Sequence, residues 1–410
     1  MKRLTVFAVV AVLGAGCADR GVMDVSPQQN AQPSAMIASP PGNPGLTVMT
    51  WNVYYGTDPT IVLAAPSPDL IPVYAAQAWA LLNQTNFPQR AEALAQAIAA
   101  NRPEIVGVQE AALWRIQETS DFNPMDPTPN AEEVVYDFLT LLTNALEARG
   151  QHYVVAAVDV STDIEVPMVV LDESGNPVLD ESGNPLLSDI RLTDRDAVLV
   201  RKGVQYSDPQ SGVYTAAIPI ELVPGLPQIY IREGWSSVLA NAGGQSYRFV
   251  STHLEVQDLP GVGNVVQVAQ ANELLNVILS DETHPTILVG DFNSDVASGD
   301  PDLTTSYDMI TGDGFQDAWL QPSQSSPGLT CCQNDMLSNP SSSFSQRVDF
   351  IFTRNMPQVG TASSLALGRD VLGDELSDRT AAGLWPSDHG AVVATFLTTS
   401  LHVPWAHVAE

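Results

Sequence analysis

The chain has 410 residues, 47 of them acidic and 17 basic, which gives a formal net charge of −30. Such a surface disfavours a nucleic-acid partner, because affinity for a polyanion rests mainly on Lys and Arg that neutralise phosphates. Hydrophobic residues make up 44% of the chain and charged residues only 16%, so one large α/β domain with a substantial core is feasible.

The N-terminus predicts export. Residues 1–3 are MKR, an apolar stretch of signal-peptide length follows, and small residues precede Cys17 in LGAGC. This resembles a bacterial lipobox, although Leu13 lies four residues before the cysteine, where the pattern prefers three. We therefore expect a lipoprotein-type signal peptide over 1–17, lipidation of Cys17 and anchoring to a bacterial membrane. The alternative is an ordinary secretory signal and a secreted protein.

Residues 18–45 are rich in Pro, Ser, Gln and Gly and predict a flexible tether. The main domain is predicted over 46–400, with a C-terminal tail at 401–410. In its first part, the apolar patterns predict strands at 46–56, 104–110 and 152–160 and helices at 73–84, 88–101 and 131–149. Alternating helices and strands are typical of layered α/β folds.

A local repeat follows, LDESGNPV and then LDESGNPL, over residues 171–186. Ser-Gly-Asn-Pro favours turns, because Gly and Asn tolerate positive φ and Pro fixes the next residue. We interpret the repeat as plain turns in a protruding hairpin or an edge decoration. Its two Asp-Glu pairs could suggest Ca²⁺, but the spacing of an EF-hand calcium loop is absent. Beyond it, the sequence predicts strands at 196–203, 228–241, 247–256, 285–294, 347–354 and 391–398, and helices at 264–280 and near 303–311.

Six apolar runs carry polar residues at or near one end. They read TWNV (50–53), GVQE (107–110), STHL (251–254), VGDFNS (289–294), RVDFIF (347–352) and PSDHGAVV (386–393). Strands that converge in one sheet bring such ends to a single rim. Carboxylates, amides and two imidazoles would meet there, without a nucleophilic Ser or Cys. This set suits a divalent metal and a phosphate ester.

Two of these motifs predict acid–base chemistry. Asp291 and Asn293 lie two residues apart on one face of a strand, where they can hold a water or metal and a phosphate oxygen; the alternative is a turn that caps a helix. Asp388 and His389 precede a strand and diverge. A histidine works better as acid or base when a carboxylate fixes its tautomer, and Asp349 is the natural candidate.

The other motifs predict a metal ligand and a phosphate contact. Glu110 ends a buried strand and suits Mg²⁺ or Mn²⁺, because hard cations prefer oxygen. Asn52 emerges from the first strand and is expected to share that metal. His253 supplies a second imidazole for the non-bridging phosphate oxygens.

The ordered series WNV, QE, THL, GDFN, VDFI and SDH resembles the endonuclease/exonuclease/phosphatase superfamily over roughly residues 46–398. Its members include DNase I-like nucleases, abasic-site endonucleases, bacterial sphingomyelinases and inositol-polyphosphate 5-phosphatases. The resemblance implies a DNase I-like four-layer α/β sandwich, with two mixed β-sheets packed between helices. It also implies Mg²⁺-dependent cleavage of a P–O bond by water, with Mn²⁺ or Ca²⁺ as alternatives.

The resemblance also implies roles for single residues. Glu110 is the expected principal metal ligand, with Asn52 assisting and Asp388 as a further metal or supporting carboxylate. The remaining expected catalytic residues are the pair that positions water and phosphate (Asp291, Asn293), the base or phosphate contact with its orienting carboxylate (His389, Asp349), and a transition-state stabiliser (His253). Either Asp291 or His389 is expected to take the proton.

Some residues depart from the family pattern. Tyr54 stands where some nucleases carry an acidic residue, and Asp196 stands where relatives often have a small polar step. We interpret Asp196 as the start of a strand, the alternative being an active-site residue. Cys331 and Cys332 are adjacent, and in an exported protein they form either a vicinal disulfide or two thiols.

From these patterns we expect an exported phosphoric ester hydrolase that acts as a monomer on a small or lipid-borne phosphate ester. It would belong to an exported bacterial branch of the superfamily. A secreted DNase-like endonuclease is the first alternative, although the charge disfavours it. The second alternative is a non-catalytic surface binding protein on the same scaffold.

Overall fold

The computed structural model describes residues 45–397, apart from 243, 258–261, 321–325 and 357–365. The predicted signal peptide, the C-terminal tail and all but the last residue of the predicted tether lie outside these described residues. The strands are β1 (Gly45–Asn52), β2 (Ile105–Gln109), β3 (Leu113–Gln117), β4 (Glu133–Asp137), β5 (Tyr153–Val158), β6 (Asp163–Val169), β7 (Leu187–Thr193), β8 (Ala197–Arg201), β9 (Gln205–Val213), β10 (Ile218–Ile220), β11 (Ile229–Ile231), β12 (Gly234–Ala242), β13 (Gln245–His253), β14 (Thr286–Asp291), β15 (Gln316–Asp317), β16 (Asp349–Arg354), β17 (Ala366–Leu372) and β18 (Ala391–Leu397).

The helices complete the fold. The α-helices are α1 (Thr60–Leu63), α2 (Ile71–Thr85), α3 (Phe87–Asn101), α4 (Phe138–Ala148), α5 (Gly263–Glu273) and α6 (Thr305–Gly312). Helix α5 continues into a π-helical turn at Leu274–Ile278, and 3₁₀ turns lie at Pro68–Leu70, Pro301–Leu303 and Leu376–Asp378. No described helix is long and apolar enough to cross a membrane.

Two six-stranded sheets form the centre of the domain. One has the order β17-β18-β1-β2-β8-β5 and the other β15-β16-β14-β13-β12-β9. Both are mixed, since β1 pairs in parallel with β2 and antiparallel to β18, and β13 pairs in parallel with β14. A four-stranded sheet (β4-β3-β7-β6) and the hairpin β10-β11 are added at the periphery.

The central strands are apolar throughout because both of their faces are buried. Val48 on β1 belongs to the core between the two sheets, whereas its neighbour Met49 packs among the helices α2, α3 and α4. On β14, Val289 faces the other sheet and Leu288 packs with α5 and α6. The predicted four-layer sandwich, helices against sheet against sheet against helices, is confirmed.

One predicted helix is partly wrong. Residues 133–137 of the expected helix 131–149 form strand β4, and helix α4 begins only at Phe138. The apolar stripe does not mark a buried helical face here, since Val134 and Val135 are exposed. Val134 pairs with Arg115 on β3, and the register shifts at Val135. Asp137 sets the true start of the helix, because its carboxylate accepts a hydrogen bond from the Thr140 amide.

The repeat at 171–186 forms exposed turns, as predicted. In the first copy Asp172 accepts hydrogen bonds from the amides of Ser174 and Asn176, and Asp180 does the same in the second copy. Each copy closes with a single antiparallel bridge, Leu171 to Pro177 and Leu179 to Pro185.

Candidate active site

The topology brings the polar strand ends to one edge of the sandwich. Parallel β1 and β2 end level with each other, Asn52 opposite Gln109. In the other sheet, Asp291 at the end of β14 lies opposite His253 on β13 and opposite Asp349 at the start of β16. Residues directly opposite each other share one face of a sheet. The row of His253, Asp291 and Asp349 therefore follows from strand register.

The chain turns sharply where it leaves these strands. Tyr54, Glu110 and Asn293 have φ values of 63°, 58° and 49°, a left-handed conformation that costs energy for residues with a β-carbon. Gly290, just before Asp291, has a φ of 149°, and a β-carbon there would overlap the Thr252 carbonyl oxygen. Strained backbone held by the surrounding structure is common where side chains must be aimed at a ligand.

Asn52 joins the two sheets at this edge. It is fully buried, and its amide Nδ2 donates to Glu110 Oε1 at 2.8 Å and to Asp291 Oδ2 at 3.0 Å. Its Oδ1 accepts from the Tyr54 amide at 3.0 Å. The second Glu110 oxygen accepts from the Tyr55 amide at 2.8 Å. One side chain thus fixes the separation of two carboxylates that lie 181 positions apart in the sequence.

His389 is held by carboxylates. Its Nδ1 lies 2.9 Å from Asp349 Oδ2 and 3.6 Å from Asp291 Oδ2. Burial works against the charged ring, but Asp349, Asp291 and Asp388 outweigh it and raise the pKa of His389 well above its usual value. Burial also raises the pKa of Asp291, although both histidines oppose that shift.

His253 has the opposite electrostatic character. Burial lowers its pKa, and the attraction of Asp291 at 3.6 Å from Nε2 only partly compensates. Nε2 also lies 3.2 Å from Asn293 Nδ2, which donates to the Leu254 carbonyl at 2.8 Å. The site therefore combines one imidazole that favours the charged form with one that favours the neutral form.

A buried arginine supports the rim from behind. Arg90 on α3 is fully buried and donates to the carbonyls of Thr85, Val53, Tyr54 and Pro386. These carbonyls belong to the end of α2, the exit of β1 and the segment that leads to Asp388 and His389. Ser387 adds a second link, donating to the Asn52 carbonyl at 2.7 Å.

The side chains line a pocket of about 390 Å³ with an acidic wall. Eight carboxylates and two imidazoles line it, and no Lys or Arg of the described residues does: Asp58, Glu110, Glu233, Glu255, Asp291, Asp295, Asp335, Asp388, His253 and His389. Burial raises the pKa of Glu110, and Asp388 raises it further. Glu110 and Asp388 repel each other, and neither forms a salt bridge to a Lys or Arg of the described residues. Such a pair fits a hard cation, since carboxylate oxygens are its preferred ligands.

All eight residues expected from the sequence lie in or against this pocket. Asn52 and Asp349 stand behind it, each bonded to a residue that lines it, and the other six line it directly. Cys331 and Cys332 lie on its rim, with their sulfurs joined and Cys331 bridged to His389 through the backbone.

Sequence patterns do not single out a second group of buried acids beside Glu110. Asp196 is fully buried and its Oδ1 accepts from the Glu110 amide at 3.2 Å, so it is more than the start of a strand. Asp159, Asp194 and Glu233 lie near it and are also buried. Of these acids only Asp159 ends an apolar run, at 154–158 on β5. The D-x-D spacing of Asp194 and Asp196 is the other signal in the sequence.

The model of the Endonuclease/Exonuclease/phosphatase family matches residues 49–389, and no curated protein matches the chain. Among solved structures, a family member from Bacteroides thetaiotaomicron is 16% identical, with 86% of this chain and 98% of that chain covered and a TM-score of 0.49. A mannosyl-6-phosphatase from the same species is 17% identical (85% and 98% covered, TM-score 0.46), and a family member from Beutenbergia cavernae is 20% identical (86% and 71% covered, TM-score 0.47). Because the family model spans well over half of the 410 residues, the chain belongs to the endonuclease/exonuclease/phosphatase family.

Proposed function

We propose that the protein is a metal-dependent phosphoesterase that hydrolyses a P–O bond of a small or lipid-borne phosphate ester by direct attack of water. The observation that carries this proposal is the row of His253, Asp291 and Asp349 facing Asn52 and Glu110 across the two sheets. It offers acid–base groups and a cation ligand within one pocket, and a family that cleaves phosphate esters provides the context.

Glu110 and Asp388 would hold the cation, Mg²⁺ in our proposal, which supplies charge stabilisation to the phosphoryl oxygens and the leaving oxygen when bound. Asn52 keeps Glu110 and Asp291 at a fixed separation. Asp291 orients the attacking water and accepts its proton. His389 presents Nε2 to a phosphate oxygen, because its Nδ1 is occupied by Asp349.

The lining beside the acidic wall supports an ester with an apolar group. A narrow apolar recess of about 50 Å³ adjoins the pocket and shares Ile164, Leu192 and Ile231 with it. Strand β11 contributes Ile229 and Ile231 to the recess, whereas Tyr230 between them does not line it. An alkyl or acyl chain next to the phosphate would be removed from water there.

A panel of esters tests the proposal. We expect the soluble domain, from about residue 40, to hydrolyse phosphodiesters with Mg²⁺ or Mn²⁺ and to lose that activity in EDTA. Glu110→Gln should abolish turnover while the protein stays folded. Absence of metal-dependent hydrolysis of every ester tested would refute the proposal, and nicking of plasmid DNA in preference to small esters would assign the chain to the nuclease alternative.

The apolar recess has its own test. Ile229→Asn should raise KM for an octyl phosphodiester and leave KM for its methyl counterpart unchanged, because only the long chain reaches the recess. Tyr230→Asn is the matched control on the same strand. Equal effects of Ile229→Asn on both esters would show that the recess does not bind substrate.

We also propose export and lipid anchoring through Cys17. Labelling of cells with a radioactive fatty acid should mark the wild-type protein in the membrane fraction and leave Cys17→Ser unlabelled. Equal labelling of both proteins would contradict the anchor, and an unlabelled wild type found outside the cells would support the secreted alternative.

A further inference from the structure

A second group of potential metal ligands lies beside the one assigned to Glu110 and Asp388. One oxygen each of Asp194 and Glu233 and one ring nitrogen of His253 lie within 4.8 Å of one another. All three side chains are almost completely buried, with exposures of 0%, 5% and 4%. They come from three separate places in the fold, the residue after β7, the residue before β12 and the end of β13.

The atoms that face each other in this group form no hydrogen bonds within the described residues. His253 Nδ1 and Glu233 Oε2 are 3.3 Å apart, yet neither forms a hydrogen bond within the described part of the chain. Asp159 lies against Gly234, the neighbour of Glu233, and both of its oxygens are also without a partner. Each buried polar group left unpaired costs about 1–3 kcal/mol, and charged groups cost more. A ligand that binds several of them at once would remove this cost.

Basic side chains do not neutralise the group. No Lys or Arg of the described residues lines the pocket that Glu233 and His253 share with Glu110. Arg195, the sequence neighbour of Asp194, points its guanidinium at Asp137 and the carbonyls of Ala111 and Ala112. The charge therefore has to be balanced by protons or by a cation.

The spacing fits a cation. Ligand atoms lie about 2.1–2.5 Å from a bound ion. Two of them that form a right angle at the ion are then about 3.0–3.5 Å apart, and two on opposite sides of the ion are about 4.2–5 Å apart. The 3.3 Å between His253 Nδ1 and Glu233 Oε2 and the 4.8 Å limit of the whole group fall in these ranges. Two carboxylates and one imidazole are donors that suit Mn²⁺, Ca²⁺ or Zn²⁺.

We propose that Asp194, Glu233 and His253 Nδ1 bind a second divalent cation, separate from the one held by Glu110 and Asp388. With Nδ1 on the cation, the ring proton resides on Nε2, which lies 3.6 Å from Asp291 Oδ2. The 3.2 Å contact in which Nε2 accepts from Asn293 Nδ2 is then given up, and Asn293 keeps its bond to the Leu254 carbonyl. The cation thus fixes His253 as a donor to phosphate oxygens. It also adds positive charge to a pocket that no Lys or Arg of the described residues lines and that, by the proposed function, accepts an anion. Binding of this cation does not depend on whether the chain hydrolyses a phosphate ester.

Titration of the metal-free full chain with Mn²⁺, followed by calorimetry and by the EPR signal of free Mn²⁺, tests the proposal. We expect about two ions per wild-type chain and about one in Glu233→Gln and in Asp194→Asn, each of which retains the ion at Glu110. Glu110→Gln should lose the other ion, and Glu110→Gln combined with Glu233→Gln should lose both. Glu221→Gln, an exposed glutamate twelve residues before Glu233, is the matched control and should bind as the wild type does.

Glu233→Gln and Asp194→Asn should fold in EDTA and melt no lower than the wild type, because each removes a buried negative charge. Anomalous diffraction at the Mn edge from wild-type crystals provides a readout that needs no variant, and it should show a peak between Glu233 and His253. Unchanged stoichiometry in both variants, or a single peak beside Glu110, would overturn the second site. Two bound ions in a chain that hydrolyses no phosphate ester would refute the proposed function alone.

Discussion

The substitution Asp349→Asn tests whether His389 takes part in catalysis or is only a buried structural residue. The change is isosteric and removes one negative charge from the 2.9 Å contact between Asp349 Oδ2 and His389 Nδ1. With the charge centres about 4 Å apart and an effective dielectric constant of about 20, that contact stabilises the charged ring by about 4 kcal/mol. The pKa of His389 should therefore fall in the variant, although Asp291 and Asp388 remain and still raise it.

Two kinetic effects follow. An asparagine donates as well as accepts, so it no longer fixes one tautomer of the ring, and we expect kcat/KM to fall about 10²- to 10³-fold, or about 3–4 kcal/mol in transition-state free energy. If the ring contacts the phosphate in its protonated form, the lower pKa removes that proton at a lower pH. The alkaline limb of the pH profile of kcat/KM should therefore move to lower pH.

The assay is hydrolysis of bis-p-nitrophenyl phosphate at saturating metal between about pH 5 and 10. Asp335→Asn is the control, because Asp335 lines the same pocket but is exposed, so the net charge changes equally without contact to His389. A kcat/KM within about threefold of the wild type, with an unmoved pH profile, would refute the role given to the Asp349–His389 pair.

Three further predictions concern stability, each measured by urea denaturation in EDTA. Arg90→Lys should lose about 3–5 kcal/mol, because a lysine cannot reach the four buried carbonyls that Arg90 bonds; a loss below about 1 kcal/mol, the range of a surface pair, would contradict its role as a support. Burial raises the pKa of Glu255 from 4.5 to about 7, so the folded protein binds this proton more tightly than the unfolded chain does. The stabilisation from this proton is complete below about pH 4.5 and is lost as the pH rises through 7. Glu255→Gln should then match the wild type at about pH 4.5 and exceed it by up to about 3 kcal/mol at pH 8; equal stability at both pH values would contradict the shift. Gly290→Ala should destabilise the protein by more than about 3 kcal/mol, since its β-carbon would overlap the Thr252 carbonyl. A variant as stable as the wild type would show that the backbone near Asp291 can shift to make room for the β-carbon.

The fold and much of the pocket could be predicted because they depend on local patterns. A strand buried on both faces is apolar throughout, so the place where polar residues interrupt it is visible in the sequence, as at Asp291 and Glu110. Register then determines which ends meet. The same reasoning failed at Val134 and Val135, whose spacing fits a helical stripe equally well but whose side chains are exposed on β4.

The second group of acids could not be predicted because its members are assembled by tertiary packing. Glu233 lies between the short strand β11 and β12, and Asp194 lies in the connection between β7 and β8. Neither of them ends a long apolar run of the sequence. In the sequence, Arg90 looks like any polar residue of an amphipathic helix. Only the structure shows that the segment after β1 lies against it and accepts its hydrogen bonds. Long-range contacts give these residues their environment, and the local sequence carries no sign of it.

The most direct test of the account is the rate of phosphodiester hydrolysis by the wild type and by Glu110→Gln, measured in EDTA and after stepwise addition of Mg²⁺ or Mn²⁺. We predict that the wild type is inactive in EDTA and gains activity with the metal, and that Glu110→Gln stays at least about 10²-fold less active at every metal concentration while its fold is unchanged. Metal-independent hydrolysis, or equal metal-dependent rates in the two proteins, would contradict the assignment of this pocket as a metal-dependent phosphoesterase site.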